Sequence, residues 1–493
     1  MANTLTRLAL ALIATALAGC GESDPAFTVS GVHTVSAEES PFADCSADLE
    51  EGLDWHEGHV QPWVAVDPND PQRIAVVYAR DVYDEGDQNQ DNRGVIVAVS
   101  RDGGATWDSA VVPGITRCAG GDWHQVRYGW VTAGANGDLY VMAEATMGWA
   151  GSASSAPTVA QLVSRSTDWG ETWGTPVEVV VVDEDEPGLP NYGSLLAHPT
   201  EPCTLYATYT RYRGLGSSGH VELARSTDCG ATWDEPRAVS VDQSPSPWAG
   251  QLRILGDGTL VMLTERPLGG ASRAALVQRS EDGGSTWSSP TEIATAYREA
   301  IEMPDPSQPT TGLLTGPIDV AHDPRTDRLY GVWEDRMMGD RVAGVAFTES
   351  TDGGLTWSTP IRIDAVPEHS DPLMEQAFLP SVAVASDGTV GVLYLSFEND
   401  VAGDPWSHAD AWVTTCRPDG RRCTRPAAWS ESPLRLTPAS FDMRTAPYSD
   451  PATYGFYIAY HLGLEGVGDG FAAALPIPDE FGGQVQVVTV APD

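Results

Sequence analysis

Five copies of one eight-residue pattern, Ser-x-Asp-x-Gly-x-Thr-Trp, divide the chain into similar units. They span 100–107, 166–173, 226–233, 280–287 and 350–357, with starts 66, 60, 54 and 70 residues apart. Each copy keeps its acid and its indole: Asp102 and Trp107, Asp168 and Trp173, Asp228 and Trp233, Asp282 and Trp287, Asp352 and Trp357. Such irregular spacing does not suit a tight solenoid, but it suits propeller blades with loops of variable length. Apolar or alternating runs flank every copy, such as 95–99 before the first and 359–363 after the fifth, and read as two strands joined by a turn. Within the turn the Asp carboxylate is placed to accept backbone N–H bonds from about two residues on. The Gly can take positive φ, and the Trp ring can wedge into the adjacent apolar layer. These residues are expected to hold hairpins together.

Between successive turns the same order recurs: an inner strand, a Gly- or Pro-bearing turn, a second apolar strand, a loop, then the hairpin pair. The inner and second strands read as 63–66 with 74–78, 130–133 with 138–143, 193–197 with 204–209, 252–255 with 259–263, 318–321 with 328–333, and 381–385 with 389–395. A sixth, degenerate hairpin is expected over 414–425. A seventh inner pair follows at 457–464 and 471–475, with a third strand at 485–490. Seven inner strands with six complete units leave one outer strand missing, which the N-terminal stretch 27–35 can supply. The expected fold is all-β: a β-propeller of four-stranded blades, with seven blades favoured over six and the ring closed by the N-terminal strand. No helical period and no linker divides residues 26–493, which are expected to form one domain.

The first residues read as an export signal. Arg7 precedes an apolar run from Leu8 to Leu17, too short to span a bilayer as a stable helix. Leu17-Ala18-Gly19-Cys20 resembles a bacterial lipobox, which implies removal of residues 1–19, acylation of Cys20, a tether at 20–25 and a lipid-anchored protein of the cell envelope. Six further cysteines in an exported chain suggest disulfides. Topology favours Cys45 with Cys118, Cys203 with Cys229, and Cys416 with Cys423. Against 69 acids stand 28 bases, all of them Arg, for a formal charge of −41. That balance argues against nucleic acid as a partner, and leaves the lipid as the only expected link to a membrane. The partner expected is an extracellular glycan or glycoprotein, bound by a monomer.

The eight-residue turns resemble the Asp boxes, or neuraminidase repeats, of the sialidase superfamily. The segments 61–68, 378–384 and 455–464 are similar to the opening, sixth and closing parts of bacterial sialidase-like proteins, so the resemblance covers nearly all of the chain after its signal. It implies a sugar site with three arginines on a carboxylate, a Tyr nucleophile assisted by Glu, and an Asp acid/base. Two departures stand out. The Phe-Arg-Ile-Pro motif that carries the first arginine is missing, and Gln61-Pro62-Trp63 stands on the first inner strand instead. Where relatives read Gly-Asp-Tyr, this chain reads Ala459-Tyr460-His461.

Propeller ligands bind at the channel mouth, where inner strands begin and second strands end. Charged strand ends there are Arg80-Asp81, Arg211, Glu265-Arg266 and Glu334-Asp335-Arg336, joined by His124, Arg127, Tyr128, Tyr192, Arg253, Tyr460 and His461. Of these, Arg127, Arg253 and Arg336 are the candidate anion contacts, Asp81 the proton donor and Tyr460 the nucleophile, with His461 beside it. The competing structural role for each arginine is an ordinary ion pair with an acid on a neighbouring blade. Three functions remain open. One is an exo-acting glycoside hydrolase that needs no cofactor, and another is a non-catalytic glycan- or protein-binding propeller. The third is a lyase in which His or Tyr takes a proton beside a uronate. Asp87, Asn89 and Asp91 alternate as oxygen ligands and form a weak calcium candidate, in a loop without the Gly and Glu of an EF-hand.

Overall fold

The structure is a computed structural model. It describes residues 26–493 except 38, 46–54, 84–91, 148–157, 184–187, 214–217, 241–242, 244–246, 249, 299–300, 305–315, 337–341, 419–421, 447–457 and 481, with backbone alone at 55–59, 82–83 and 92. Seven four-stranded antiparallel blades form a ring. In blade 1 the strands run Trp55–Asp67, Asp70–Tyr83, Asn92–Ser100 and Asp108–Val111 from hub to rim. One backbone pairing, Asn92 with Val126, joins this blade to the next in a continuous ladder. The inner strands of blades 2 to 7 are Gln125–Ala133, Pro190–Ala197, Leu252–Ile254, Asp319–Asp323, Ala377–Val384 and Gly463–Val467.

The last blade is completed from both ends of the chain. Strands Gly463–Val467, Gly470–Ile477 and Gln484–Pro492 are followed at the rim by Phe27–Thr34, the expected closing strand. Phe27 pairs with Pro492 and Thr34 with Gln486. The Phe27 ring packs 5.8 Å from that of Phe471. Strand residues from adjacent blades interleave as apolar layers: Ala75, Val77 and Val97 of blade 1 share one cluster with Trp130, Val141 and Leu162 of blade 2. A sheet buried on both faces explains why so many strands read as continuous apolar runs.

Two expected elements differ. The seventh inner strand starts at Gly463, not at 457, and Tyr457 lies outside the described residues. The segment before it leaves the ladder because the Ile458 carbonyl accepts from Gln61 N of blade 1 at 3.1 Å, turning Tyr460 and His461 toward the hub. The sixth hairpin is longer than 414–425: strand His408–Cys416 is answered by Leu434–Arg435. There the Cys416–Cys423 disulfide and Trp429 replace the repeated turn, with Trp429 Nε1 donating to the Cys423 carbonyl at 2.8 Å. All three expected disulfides are present, Cys45–Cys118, Cys203–Cys229 and Cys416–Cys423.

The repeated turn is built alike in every copy. Ser100 Oγ accepts from Gly104 N at 2.8 Å, while Asp102 accepts from Thr106 N at 2.8 Å and from its hydroxyl at 2.6 Å. The backbone partner is thus the fourth residue on, not the second, in every copy. The Gly sits at φ 92°, where a side chain would be strained, and the other four copies lie between 78° and 87°. Trp107, Trp173, Trp233, Trp287 and Trp357 each pack on an apolar cluster. Hydrogen bonds from Thr and Ser hold the carboxyls of Asp102, Asp168 and Asp282 near pKa 2, below the usual 3.8. A lowered folded-state pKa gives stability that is present above about pH 4 and lost as the acid is titrated toward 2. These turns should therefore lower the melting temperature as pH falls from about 4 to 2, by a modest amount because the carboxyls are exposed and screened. A flat profile by circular dichroism across that window would contradict the role given to these turns.

Candidate functional site

The five turns share one end of the ring, here the bottom, with the turns that join inner to second strands. The top carries the starts of the inner strands and the ends of the second strands. Four inner strands enter through the same device, a bulge at a non-glycine residue with positive φ. These are Gln61 (58°), Tyr128 (48°), Tyr192 (54°) and Leu379 (50°), each at a register shift in its ladder. Each is followed by Pro or Gly, and each costs about 1–2 kcal/mol. The bulges are tied across blades: Gln61 Oε1 accepts from Tyr128 N at 3.0 Å, and Glu334 Oε1 accepts from Leu379 N at 2.5 Å. A bulge re-aims the side chain it carries. Here it turns Tyr128 and Tyr192 onto the hub axis.

There they meet Tyr460. The three rings lie 5.2–5.6 Å apart, and the Tyr192 and Tyr460 hydroxyls are 3.4 Å apart. Trp248 continues the cluster 5.8 Å from Tyr192. Beneath, Trp63 stacks on Trp130 at 3.9 Å, and His461 meets both rings edge-on at 5.3 and 5.2 Å. Desolvation lowers the imidazole pKa to about 4, so it is neutral at physiological pH. The cavity left between Tyr128, Trp130, Tyr192, Trp248 and Tyr460 measures about 20 Å³, room for a single water.

Acids flank this cluster at the strand ends of blades 4 and 5. Glu265, Glu334 and Arg298 are almost fully buried. Arg298 pairs with Glu265 and donates to the Gly316 carbonyl, and a Cβ on Gly316 would strike the Tyr460 carbonyl. Burial raises the Glu334 pKa to about 7, partly offset by Arg298. Glu265 is raised by the same cause. Arg273 lies over the Trp248 ring at 4.6 Å. The mouth thus offers aromatic faces and phenols, and behind them lies a buried carboxyl that is half-protonated near neutrality.

The sequence-derived candidates are dispersed. Tyr460 and His461 sit in the cluster. Arg127 stands beside it, opposite Glu144 in the strand register. Asp81 is buried in blade 1 at φ 61°, accepting from Ser40 Oγ at 2.5 Å, with Arg80 at 3.6 Å and Arg93 at 3.8 Å. Arg336 pairs with Glu302 at 3.6 Å. Arg253 lies within the channel, bonded to Gln251 Oε1 at 2.6 Å and 3.9 Å from Asp319, as the ion-pair alternative expects. That part of the channel opens to the bottom as a cavity of about 670 Å³. Arg127, Arg253 and Arg336 are therefore held on three blades, with no contact among them in the described residues. Asp87, Asn89, Asp91 and Cys20 lie outside the described residues. Sequence reasoning named Glu334 only as a charged strand end and passed over Arg298 and Trp248, although the X-Pro or X-Gly pair in each of four inner strands marked the bulges.

No protein-family model matches the chain. It is 25% identical over 359 residues to a sialidase from Micromonospora viridifaciens, an alignment covering 66% of this chain and spanning about half the length of that relative. Among solved structures it is similar to a protein of unknown function from Dyadobacter fermentans, at 15% identity and TM-score 0.48, covering 79% of this chain and 99% of that one. Hadza microbial sialidase Hz136 is similar at 20% identity and TM-score 0.44, covering 69% and 63%. The GH93 α-L-arabinofuranosidase of Fusarium graminearum is similar at 15% identity and TM-score 0.43, covering 74% and 93%. The chain is thus a seven-bladed β-propeller pinned by five like turns, similar in sequence to a sialidase over 66% of its length.

Proposed function

We propose that the chain is an exported, lipid-anchored glycoside hydrolase of the exo-acting type, which takes the terminal sugar of an extracellular glycan at its top face. The reading is carried by one observation: the buried Glu334 carboxyl, with pKa near 7, lies one glycine away from the Tyr460 backbone. A carboxyl with that pKa holds a proton to give to a glycosidic oxygen at neutral pH. The paired phenols of Tyr460 and Tyr192 supply a neutral nucleophile suited to an anionic sugar, and the tyrosine and tryptophan faces stack on the pyranose ring. The aligned sialidase supports the hydrolase class. The sugar itself is left to the assay.

The purified full chain should release fluorophore from at least one member of a panel of α-sialosides, α-L-arabinofuranosides and other exo-substrates. Tyr460→Phe should lower kcat about 10²-fold or more with little change in KM. Failure across the panel would remove the hydrolase reading. A glycan-binding propeller without catalysis is the second reading, favoured by the tight closure of the aromatic cluster. Retention on a glycan array without turnover would establish it.

A further inference from the structure

We infer that Asp400, Asp404 and His408 form a binding site for a divalent transition-metal ion of the zinc class. The site lies on the top of blade 6, apart from the aromatic mouth. Asp400 and Asp404 lie in the loop after strand Val390–Ser396 and His408 opens strand His408–Cys416, at a spacing of Asp-x3-Asp-x3-His. Each presents one ligand atom, and the three atoms lie within 4.8 Å of one another. Bonds of about 2.0–2.2 Å to one central ion place ligand atoms somewhat closer than that, within reach of small rotamer changes.

A second observation points to a cation. The Asp400 side chain is 1% exposed. Its Oδ1 accepts from His408 N at 3.1 Å, whereas Oδ2 is buried and meets no donor among the described residues. A buried carboxylate oxygen without a donor is costly, and the ion pair that Asp400 makes, Oδ1 with His408 Nδ1 at 3.3 Å, leaves Oδ2 unserved. Arg444, the nearby base, makes three bonds to Asp442 at 2.8–3.2 Å. Asp404 Oδ1 is oriented by Trp406 N at 2.9 Å, which fixes the second carboxylate from outside.

The ligand types select the ion. Calcium and magnesium favour all-oxygen shells, whereas an imidazole with two carboxylates suits zinc and its neighbours. Asp404 and His408 reach solvent, so water completes the shell. Binding would also fix Trp406, which lies between two ligands, is 48% exposed and borders a cavity of about 570 Å³ with Asp442, Gln484 and Gln486.

The test uses the full chain stripped with a chelator, then given zinc, manganese or calcium chloride in separate titrations. Calorimetry should find one zinc per chain, with a rise in melting temperature and a change in tryptophan emission. Asp404→Ala and His408→Gln, both partly exposed and so expected to fold, should each weaken zinc at least about tenfold. Three results would overturn the site: no zinc bound, zinc bound equally by both variants, or calcium preferred and indifferent to His408→Gln. None of these readouts depends on glycosidase activity.

Discussion

A chain lacking residues 26–36 is expected to lose about 5 °C of its melting temperature and to self-associate. These residues form the rim strand of blade 7, paired along its length with Gln484–Pro492. Phe27 and Val29 pack on the cluster shared by blades 6 and 7, and Val35 is buried in the cluster shared by blades 7 and 1. Two half-buried and one buried apolar side chain, with the ladder bonds, amount to about 5 kcal/mol. That loss converts to roughly the stated temperature drop. The exposed edge of Gln484–Pro492 then offers unpaired donors and acceptors to a second molecule. A synthetic peptide of residues 26–36 should restore both stability and the monomer. A truncated protein that stays monomeric and melts within about 1 °C of the full chain (about 1 kcal/mol or less) would refute ring closure as the source of stability.

Glu334→Gln should lower kcat about 10²- to 10³-fold and remove the alkaline limb of the pH–rate profile near 7. The amide keeps the acceptor that Leu379 N needs, so the bulge at Leu379 should survive and KM should change little. Stability gives an independent readout with a defined sign. Burial raises the folded-state pKa from 4.5 to about 7, so the folded chain keeps a proton that the unfolded chain surrenders. Its stabilisation is complete below about pH 4.5 and is lost as pH rises through 7. The variant cannot ionise at this position, so its stability relative to wild type should improve between pH 5 and pH 8. Unchanged kinetics would remove Glu334 from the reaction. An unchanged pH dependence of stability would show that the carboxyl is ionised throughout.

The ring could be read from the sequence because its signals are local and repeated. Each turn carries its own hydrogen bonds within seven residues, from Ser100 to Thr106 in the first copy, and the apolar runs beside it report a sheet covered on both faces. The disulfides followed from the same map, since topology brings Cys203 to the turn that holds Cys229. The seventh inner strand was misplaced because one bond to blade 1, from Gln61 N to the Ile458 carbonyl, outweighs the strand-like pattern of 457–464. The site was harder still. Arg253 and Arg336 are charged strand ends like any other, and only the fold reveals that Asp319 and Glu302 claim them. Glu334 and its neighbour Asp335 are equally buried, and only their partners differ, Leu379 N for the first and Tyr297 N for the second, which no local pattern encodes. The acids and imidazole at 400, 404 and 408 were passed over in the sequence, and their convergence and the donor missing from Asp400 Oδ2 are visible only in the fold.

Closure of the wheel leaves the chain's first described residue and its last a hydrogen bond apart, with Asp493 N donating to the Ala26 carbonyl at 2.8 Å. Start and finish are thus neighbours on the circumference, and a splice of a few residues could join them into a seamless hoop. The opening could then be cut at any other rim crossing, and the weak point of the assembly would move with it. A partner fused directly before residue 26 or after residue 493 would emerge from the same sector, beside blade 7.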